Sequence, residues 1–330
     1  MKQDLHTKRM IFIFLDGVGI GKETDANPFF VAKTPYLPFY EGALLLPDNT
    51  PVVKIDPLLG VPGIPQSASG QTSLYTGENI PLLLGQHKDS YPNKSMRQII
   101  IEKNLLSGLK AKNFNAVFIN AYPVYSHFFK PPHIHIAPTG EFHFSEEFPP
   151  LFRRRISATT CMMIAAGQQP FDENDIRTEK AIFQEFTNKM LIEKGLPVPE
   201  FSPEKAADIL FEASRRHDFI LFEYFRTDMT GHRGSFAEQV QLVQELNRLL
   251  ARLLSRLNPH TDTLLLTSDH GNLEDASTRG HTQNSVPLIT WGQNSSGLRK
   301  QIRNLSDVTP AILDHFDQEI PPTLSTKENL

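Results

Sequence analysis

The sequence predicts an α/β protein built on a parallel sheet, with helices on both faces and a small inserted lid. Uniformly apolar runs, typical of strands buried on both faces, recur along the chain. Amphipathic segments with helical spacing lie between these runs. From about residue 123 to 199, prolines become frequent and the strand–helix alternation stops, which indicates an insertion over the sheet.

Four apolar runs are predicted to be the central strands, because they are apolar at nearly every position rather than at alternate ones. In chain order they are Met10–Leu15, Ala116–Asn120, Phe219–Phe222 and Thr263–Thr267.

Three segments of the alternating part have helical periodicity, and they are Ser95–Ala111, Pro203–Arg216 and Ser235–Leu257. For the second of them, Ser202 is a predicted N-cap and Pro203 occupies the first helical position.

The domain prediction follows from these patterns. Residues 1–122 and 200–330 form the core domain, and residues 123–199 form the inserted lid or cap. The lid contains a predicted hairpin around residues 138–140 and helices near 156–167 and 178–194.

Composition excludes several classes of function. The 330-residue chain is 39% hydrophobic and 21% charged, as in ordinary globular proteins, and its net charge of -4 gives no electrostatic case for a nucleic-acid partner. The single cysteine, Cys161, excludes an internal disulfide and permits a reducing compartment. The N-terminus is charged for ten residues and then apolar for five, too short for a membrane span and without a small-residue cleavage site. We therefore expect a cytoplasmic protein that binds no membrane; the sequence does not indicate its oligomeric state.

Polar side chains follow three of the predicted strands. Carboxylates and imidazoles together are the usual ligands of Zn²⁺ or Mn²⁺, and ligands bind at the carboxyl ends of parallel strands. Taken singly, each residue is more typical of a turn, a helix cap or a solvated loop than of a metal ligand. Convergence of six such groups favours a two-metal site with about three protein ligands per ion. The six are Asp16, Asp228, His232, Asp269, His270 and His281.

The stretch "LLLTSDHGN" at 264–272 places two of these groups side by side. Two adjacent ligands require a sharp bend, which we expect Gly271 to permit.

A Pro- and Gly-rich loop, "GVPGIPQSASGQTSLYTGEN" at 60–79, is predicted to enter a helix. A hydroxyl at that helix N-terminus would lie in a field that favours an alkoxide and a bound phosphate. Contact with a metal would make it a nucleophile at neutral pH. Simple capping of the helix by Ser67 or Ser69 is the alternative interpretation.

Three separated segments resemble one known family in order, residue type and local spacing. "LDGVGIG", "DMTGHRG" and "TSDHGNLED" with "GHTQNSVPLI" are similar to the alkaline phosphatase superfamily, most closely to its branch of cofactor-independent phosphoglycerate mutases and phosphopentomutases. The resemblance covers roughly residues 1–90 and 203–295 and implies an alkaline-phosphatase-like sandwich.

The resemblance also implies how the site residues divide. One divalent metal would be held by Asp228, His232 and His281. The other would be held by a second set that includes the nucleophile, namely Asp16, Asp269, His270 and Ser67. Ser69 is the alternative nucleophile.

The expected function is that of a metal-dependent phosphohydrolase using two Mn²⁺ or Zn²⁺ ions. It would act on a small phosphate mono- or diester through a phosphoserine intermediate. A phosphomutase is the alternative, and an inactive binding module is a third hypothesis. Arg233, Arg153 and Arg154 are candidate substrate-binding residues, although a solvated charged turn equally explains the latter two.

Overall fold

The structure, a computed structural model, describes residues 8–318. Within this range, six strands form one sheet. The sheet has the order β2-β8-β7-β1-β6-β3, and a two-stranded hairpin joins β4 to β5. β8 is antiparallel to both of its neighbours, whereas β7, β1, β6 and β3 are mutually parallel. The strands are β1 (Arg9–Leu15), β2 (Val52–Ile55), β3 (Ala116–Phe118), β4 (Ile134–Ile136), β5 (Phe142–Phe144), β6 (Phe219–Tyr224), β7 (Asp262–Thr267) and β8 (Val286–Gly292).

Thirteen α-helices accompany these strands within residues 8–318. They are α1 (Pro28–Ala32), α2 (Ser67–Thr76), α3 (Ile80–Leu84), α4 (Lys94–Glu102), α5 (Leu105–Ala111), α6 (Ala158–Ala165), α7 (Glu173–Arg177), α8 (Lys189–Glu193), α9 (Pro203–Ser214), α10 (Arg226–Arg233), α11 (Phe236–Arg256), α12 (Ser295–Gln301) and α13 (Val308–Asp317). Short 3₁₀ turns occur at Ser126–Phe128 and Leu305–Asp307.

The sheet separates two hydrophobic cores. Successive side chains of a strand point to opposite faces, so Ile11 and Ile13 of β1 pack into one core while Phe12 and Phe14 pack into the other. Helices α9 and α11 cover the first face, and α2, α5, α6 and α13 contribute to the second. The predicted α/β class with helices on both faces is confirmed.

All four predicted strands occur, and two further strands were missed. β8 contains Pro287, which argues against a strand when the sequence is read alone. β2 is only four residues long and pairs with β8 at the edge of the sheet.

The predicted N-cap at Ser202 is confirmed, and the helix predicted over Ser235–Leu257 occurs as α11, with Ser235 as its N-cap. Ser202 accepts a hydrogen bond from the Lys205 backbone N–H, and Ser235 forms a capping box with Glu238.

Two helix predictions were partly wrong. The segment Ser95–Ala111 is two helices, because Lys103 is extended and the Asn104 side chain caps the second by accepting from the Ser107 N–H. The stretch 178–194 is helical only in α8, since Ile182 pairs with Asn120 as an extension of the sheet.

Residues 123–199 contain the expected hairpin, β4–β5, and a helix near 156–167, α6. Cys161 on α6 is buried and free. Of the N-terminal segment discussed above, residues 1–7 lie outside the described part of the chain. Within 8–318 no helix is both long enough and apolar enough to cross a membrane.

A buried histidine on α13 predicts a pH-dependent stability. Burial, together with the charge of Lys8, lowers the pKa of His315 from 6.5 to about 4. As the pH falls, His315 therefore takes up a proton in the unfolded chain before it does so in the folded chain. Neutral, buried His315 costs no stability above pH 6.5, and the free energy of unfolding decreases as the pH falls from 6.5 toward 4. We expect His315→Gln to reduce the loss of unfolding free energy between pH 7 and 4 by up to about 3 kcal/mol. Denaturant unfolding at both pH values measures this, and equal pH slopes in the variant and the parent would contradict it.

Candidate metal centre and active site

The six candidate ligands lie at the carboxyl ends of three adjacent strands, β7, β1 and β6. Asp16 directly follows β1, and Asp269 and His270 follow β7 after one residue. Asp228 and His232 lie one turn apart on α10, which begins just after β6. His281 comes from the loop between β7 and β8. The sheet therefore brings together residues that are up to 265 positions apart in the chain.

The first group consists of Asp228, His232 and His281. Asp228 Oδ1 is 3.3 Å from His232 Nε2 and 3.5 Å from His281 Nε2. The two Nε2 atoms are 3.2 Å apart. One ligand atom from each residue thus faces a common point, and all three atoms lie within 4.8 Å of one another.

The second group consists of Asp16, Asp269 and His270, with Ser67 beside it. His270 Nε2 is 3.4 Å from Asp16 Oδ1 and 3.6 Å from Asp269 Oδ2. Ser67 Oγ is 2.9 Å from the same His270 nitrogen. The ring of His270 stacks on that of His281 with centroids 3.7 Å apart, so the two groups are neighbours.

Backbone carbonyls orient all three imidazoles in the same way. The Nδ1 atoms of His232, His270 and His281 lie 2.5, 3.3 and 3.0 Å from the carbonyl oxygens of Arg279, Gly271 and Pro65, respectively. A carbonyl can only accept, so in the neutral ring Nδ1 carries the proton and Nε2 presents a lone pair. A backbone carbonyl at Nδ1 is a common partner of metal-binding histidines.

Burial makes the charges of this site costly. Burial raises the pKa of Asp16 well above its ordinary value, and the neighbouring carboxylates Asp269 and Asp228 raise it further. Asp228 behaves in the opposite way: burial would raise its pKa, but the neighbouring imidazoles of His281 and His270 lower it to about 2. Burial also lowers the pKa of His270. Adjacent buried carboxylates need a compensating positive charge.

The donor atoms fit divalent cations. Asp16 Oδ1 is buried without a hydrogen-bond partner in the described chain, although such atoms are normally paired. The facing lone pairs of His232 and His281 cannot hydrogen-bond to each other when both rings carry their proton on Nδ1. Mixed carboxylate and imidazole donors suit Zn²⁺ and Mn²⁺.

Ser67 and Ser69 have different environments at the start of α2. Ser67 is the first residue of the helix, is partly exposed and faces His270. Ser69 is fully buried, and its Oγ accepts a hydrogen bond from the Lys88 backbone N–H while lying 3.3 Å from the carbonyls of Gln66 and Lys88. Neither side chain caps α2.

Gly271, which was expected to permit a sharp bend, does not have its φ in the left-handed region. A Cβ there would lie 2.1 Å from Thr282 Oγ1 and 2.2 Å from Glu274 Oε1, so close packing also favours glycine at this position. Gly17, directly after Asp16, does have a positive φ of 70°, and a Cβ there would lie 2.7 Å from Asp228 Oδ1.

Sequence reasoning overlooked three polar residues near the centre, two of which hydrogen-bond to the ligands. Gln71 Nε2 donates to both Asp16 Oδ2 and Asp269 Oδ2, at 3.2 and 3.1 Å. Asn272 Nδ2 donates to Asp228 Oδ1 at 2.7 Å. Gln71 lies four residues after Ser67, on the same face of α2, and this spacing was an available signal.

Glu223 is the third overlooked residue, an acidic side chain inside the apolar strand β6. Burial, with a further contribution from Asp269, raises its pKa to about 7. A lone carboxylate in a buried strand is rare without a partner and was a second available signal.

A cavity of ≈ 710 Å³ opens onto this centre. Asp16, Ser67 and Asp228 lie in its wall, and Arg233, a candidate substrate-binding residue, lies there with them. The structure does not bring Arg153 and Arg154 to this cavity; they line a separate one between β5 and the 88–92 loop.

Comparison with known proteins agrees with the architecture. Residues 181–320 match the family model of the Metalloenzyme superfamily, a segment that contains five of the six candidate ligands. The structure also resembles a cold-active alkaline phosphatase from the psychrophile Shewanella sp., with a TM-score of 0.51, 12% identity, and coverage of 94% of this chain and 100% of that one. At that identity the likeness shows the fold alone.

Sequence relatives are named as 2,3-bisphosphoglycerate-independent phosphoglycerate mutases. One from Psychrobacter arcticus is 37% identical over 141 residues, which are 40% of this chain and 25% of that protein. One from Desulforudis audaxviator is 31% identical over 133 residues, 38% of this chain and 26% of that protein. The match thus spans about a quarter of the length of these relatives. The predicted resemblance to the alkaline phosphatase superfamily and its mutase branch is confirmed.

The paired ligand groups predict that divalent cations stabilise the fold. Adding Mn²⁺ or Zn²⁺ to chelator-treated protein should raise the unfolding free energy by about 3 kcal/mol at a hundredfold excess over the dissociation constant. Asp269→Asn should reduce this increment, because it removes a carboxylate from the second group. Asp25→Asn, which alters an exposed acidic residue, serves as the matched control. Thermal unfolding with and without metal measures the effect, and equal increments in all three proteins would contradict it.

Proposed function

We propose that this protein is a divalent-metal-dependent phosphohydrolase that cleaves small phosphate mono- or diesters through a phosphoserine at Ser67. The observation that carries the proposal is the contact between Ser67 Oγ and His270 Nε2, 2.9 Å apart, where a helix begins beside two groups of ligand-type residues. A hydroxyl, a helix N-terminus and a metal centre together are the elements that phosphoryl transfer needs.

Two cations would be held by the two groups already described. Asp228, His232 and His281 would hold one; Asp16, Asp269 and His270, with Ser67, would hold the other. When bound, Mn²⁺ or Zn²⁺ would supply Lewis-acid stabilisation of phosphoryl oxygens and lower the pKa of the serine hydroxyl.

The protein's own residues contribute position and polarity. Gln71 bridges Asp16 and Asp269, and it therefore fixes both carboxylates relative to Ser67 on its own helix. The backbone N–H groups at the start of α2 favour the negative charge of a phosphoryl group beside Ser67. Ser67 Oγ forms a bond to phosphorus as the ester P–O bond breaks, and the departing alkoxide takes up the proton that Ser67 loses. Water then cleaves the Oγ–P bond: its hydroxyl goes to phosphorus and its proton returns to Ser67, so that a monoester yields phosphate and a diester yields a phosphate monoester.

A phosphomutase is the second candidate, and the named sequence relatives favour it. It shares the first half-reaction but must retain the dephosphorylated intermediate while that molecule reorients, which requires a closing cap. We propose residues 123–199 as a lid over the core. This segment is short and rich in proline. A hydrolase does not need a lid that retains the intermediate, because water completes its reaction.

An inactive binding module is the third hypothesis, and the physical cost of the site argues against it. Asp269 and His270 are fully buried beside Asp16, and a scaffold would gain nothing from keeping such charges together. The proposed compartment is the cytoplasm, and the proposed partner is a small phosphorylated metabolite.

Replacing the nucleophile provides the central test. Ser67→Ala should lower phosphatase turnover by about 10³-fold or more, because no oxygen remains to accept the phosphoryl group. Ser69→Ala, two residues away, should retain most of the turnover but lose about 1–2 kcal/mol of stability through its lost hydrogen bonds. Steady-state kinetics and detection of a phosphoryl adduct on Ser67 by mass spectrometry measure both expectations. Full turnover by Ser67→Ala would place the nucleophile elsewhere.

Product analysis separates the hydrolase from the mutase. With metal-loaded protein, p-nitrophenyl phosphate or its bis-ester should release p-nitrophenol, and phosphate should accumulate from monoesters. Incubation with 3-phosphoglycerate or a pentose phosphate should yield no positional isomer. Isomerisation faster than phosphate release would establish the mutase instead.

A further inference from the structure

The cavity at the metal centre extends well beyond the ligand residues. β3 is the edge strand next to β6, and residues 120–125, which follow β3, form part of the cavity wall. The cavity thus runs from Ser67 across the end of β6 toward the end of β3. Its ≈ 710 Å³ lies within the range of about 300–1,000 Å³ that accommodates drug-sized ligands. A phosphoryl group fills only a small part, so the remaining space is available to the leaving group of the substrate.

The wall near β3 is largely apolar. Ala121, Tyr122, Pro123, Val124 and Tyr125 form an uninterrupted uncharged run there. Phe183 and Leu191 face the same cavity from the inserted segment. Exposed apolar side chains gathered in one concave wall are typical of a surface that a ligand covers.

This wall is held in place before any ligand binds. The ring of Tyr122 packs on Phe129 at 5.3 Å, and its hydroxyl lies 2.8 Å from Thr160 Oγ1. The ring of Tyr125 packs on Phe152 at 4.5 Å. Val124 and Tyr125 nevertheless remain 44% and 40% exposed. Apolar area that is ordered but uncovered favours binding, because little conformational entropy remains to be lost.

The positive groups of the cavity lie on other segments. Arg233 follows His232 on α10, and Arg155 and Lys194 come from the inserted segment. These side chains suit the negative charge of the phosphoryl group, whereas residues 121–125 offer no charged partner to a second anionic group.

We infer that the substrate is a phosphate ester whose leaving group carries an apolar chain or ring, which binds against residues 121–125 while the phosphoryl group lies at Ser67. The inference rests on the proposed function for the reaction and adds the class of leaving group. A strongly polar leaving group, as in phosphoglycerate, would leave this wall uncovered.

The n-alkyl phosphates from ethyl to octyl phosphate test the inference. Each has a primary alcohol as leaving group, so intrinsic reactivity stays nearly constant while apolar area increases. We expect kcat/KM to rise by about two- to fourfold per methylene until the cavity is filled. Val124→Ser and Tyr125→Ser should flatten this dependence. Leu151→Ser, which alters a 60% exposed leucine outside the cavity, should retain it.

A binding measurement keeps this inference separable from the proposed reaction. Alkylphosphonates cannot release an alcohol, so calorimetry with ethyl- and octylphosphonate on metal-loaded protein reports affinity alone. Octylphosphonate should bind at least about tenfold more tightly than ethylphosphonate, and Val124→Ser should reduce the difference.

Chain-length-dependent affinity without turnover of any ester would reject the proposed reaction and support the apolar site. Affinity and turnover that do not change with chain length, or a preference for 3-phosphoglycerate, would overturn the inference. Tyr125→Ser is interpreted only if its thermal unfolding matches the parent; otherwise Val124→Ser decides.

Discussion

Three carboxylates, Asp16, Asp228 and Asp269, are held together at the carboxyl edge of the sheet, and the surrounding structure is organised by their charge. Two of them accept from the same Gln71 amide. Burial and mutual repulsion raise the pKa of Asp16 well above its ordinary value. Such a cluster persists only if positive charge is available, and the Nε2 lone pairs of the nearby imidazoles can bind a cation. The backbone carbonyls beside the three Nδ1 atoms hold the histidine rings so that their Nε2 lone pairs remain free for such a cation.

Rigidity of this cluster comes from the two cores rather than from the site itself. β6 and β7 are buried along their whole length and β1 is buried from Met10 onward, and their alternating side chains are fixed on both faces. Strand ends held in this way can position ligands more accurately than loops can. Close packing continues into the turns: Gly17 approaches Asp228, and Gly271 approaches Glu274. Glycine fits these positions because the Asp228 and Glu274 side chains lie directly against the backbone.

The sequence predicted the central strands and the six candidate ligands, because the same pattern recurs at several strands. It did not predict features that depend on contacts formed only in the folded chain. Uniform apolar runs identified the central strands, and the polar residues that follow them identified the six candidate ligands. Pro287 concealed β8, and Asn104 divided a segment with continuous helical periodicity into α4 and α5. The predicted strand ended at Phe222, and only the fold shows that Glu223 continues β6 and lines the cavity. The failures at β8 and Glu223 share a cause, because a residue's partner across the sheet or the cavity is not visible in local spacing.

Sequence similarity and the geometry of the chain support different ligands of the centre. The matched superfamily segment, residues 181–320, contains Asp228, Asp269 and three histidines but excludes Asp16 and Ser67. Those two residues reach the centre through β1 and α2, by the geometry of the chain alone. Similarity therefore accounts for much of the metal chemistry that we propose, whereas the apolar wall after β3 lies outside the matched segment. If both proposals hold, the residues of the reaction and residues 121–125 lie in different parts of the chain, so the leaving group has to be inferred from the cavity rather than from the relatives.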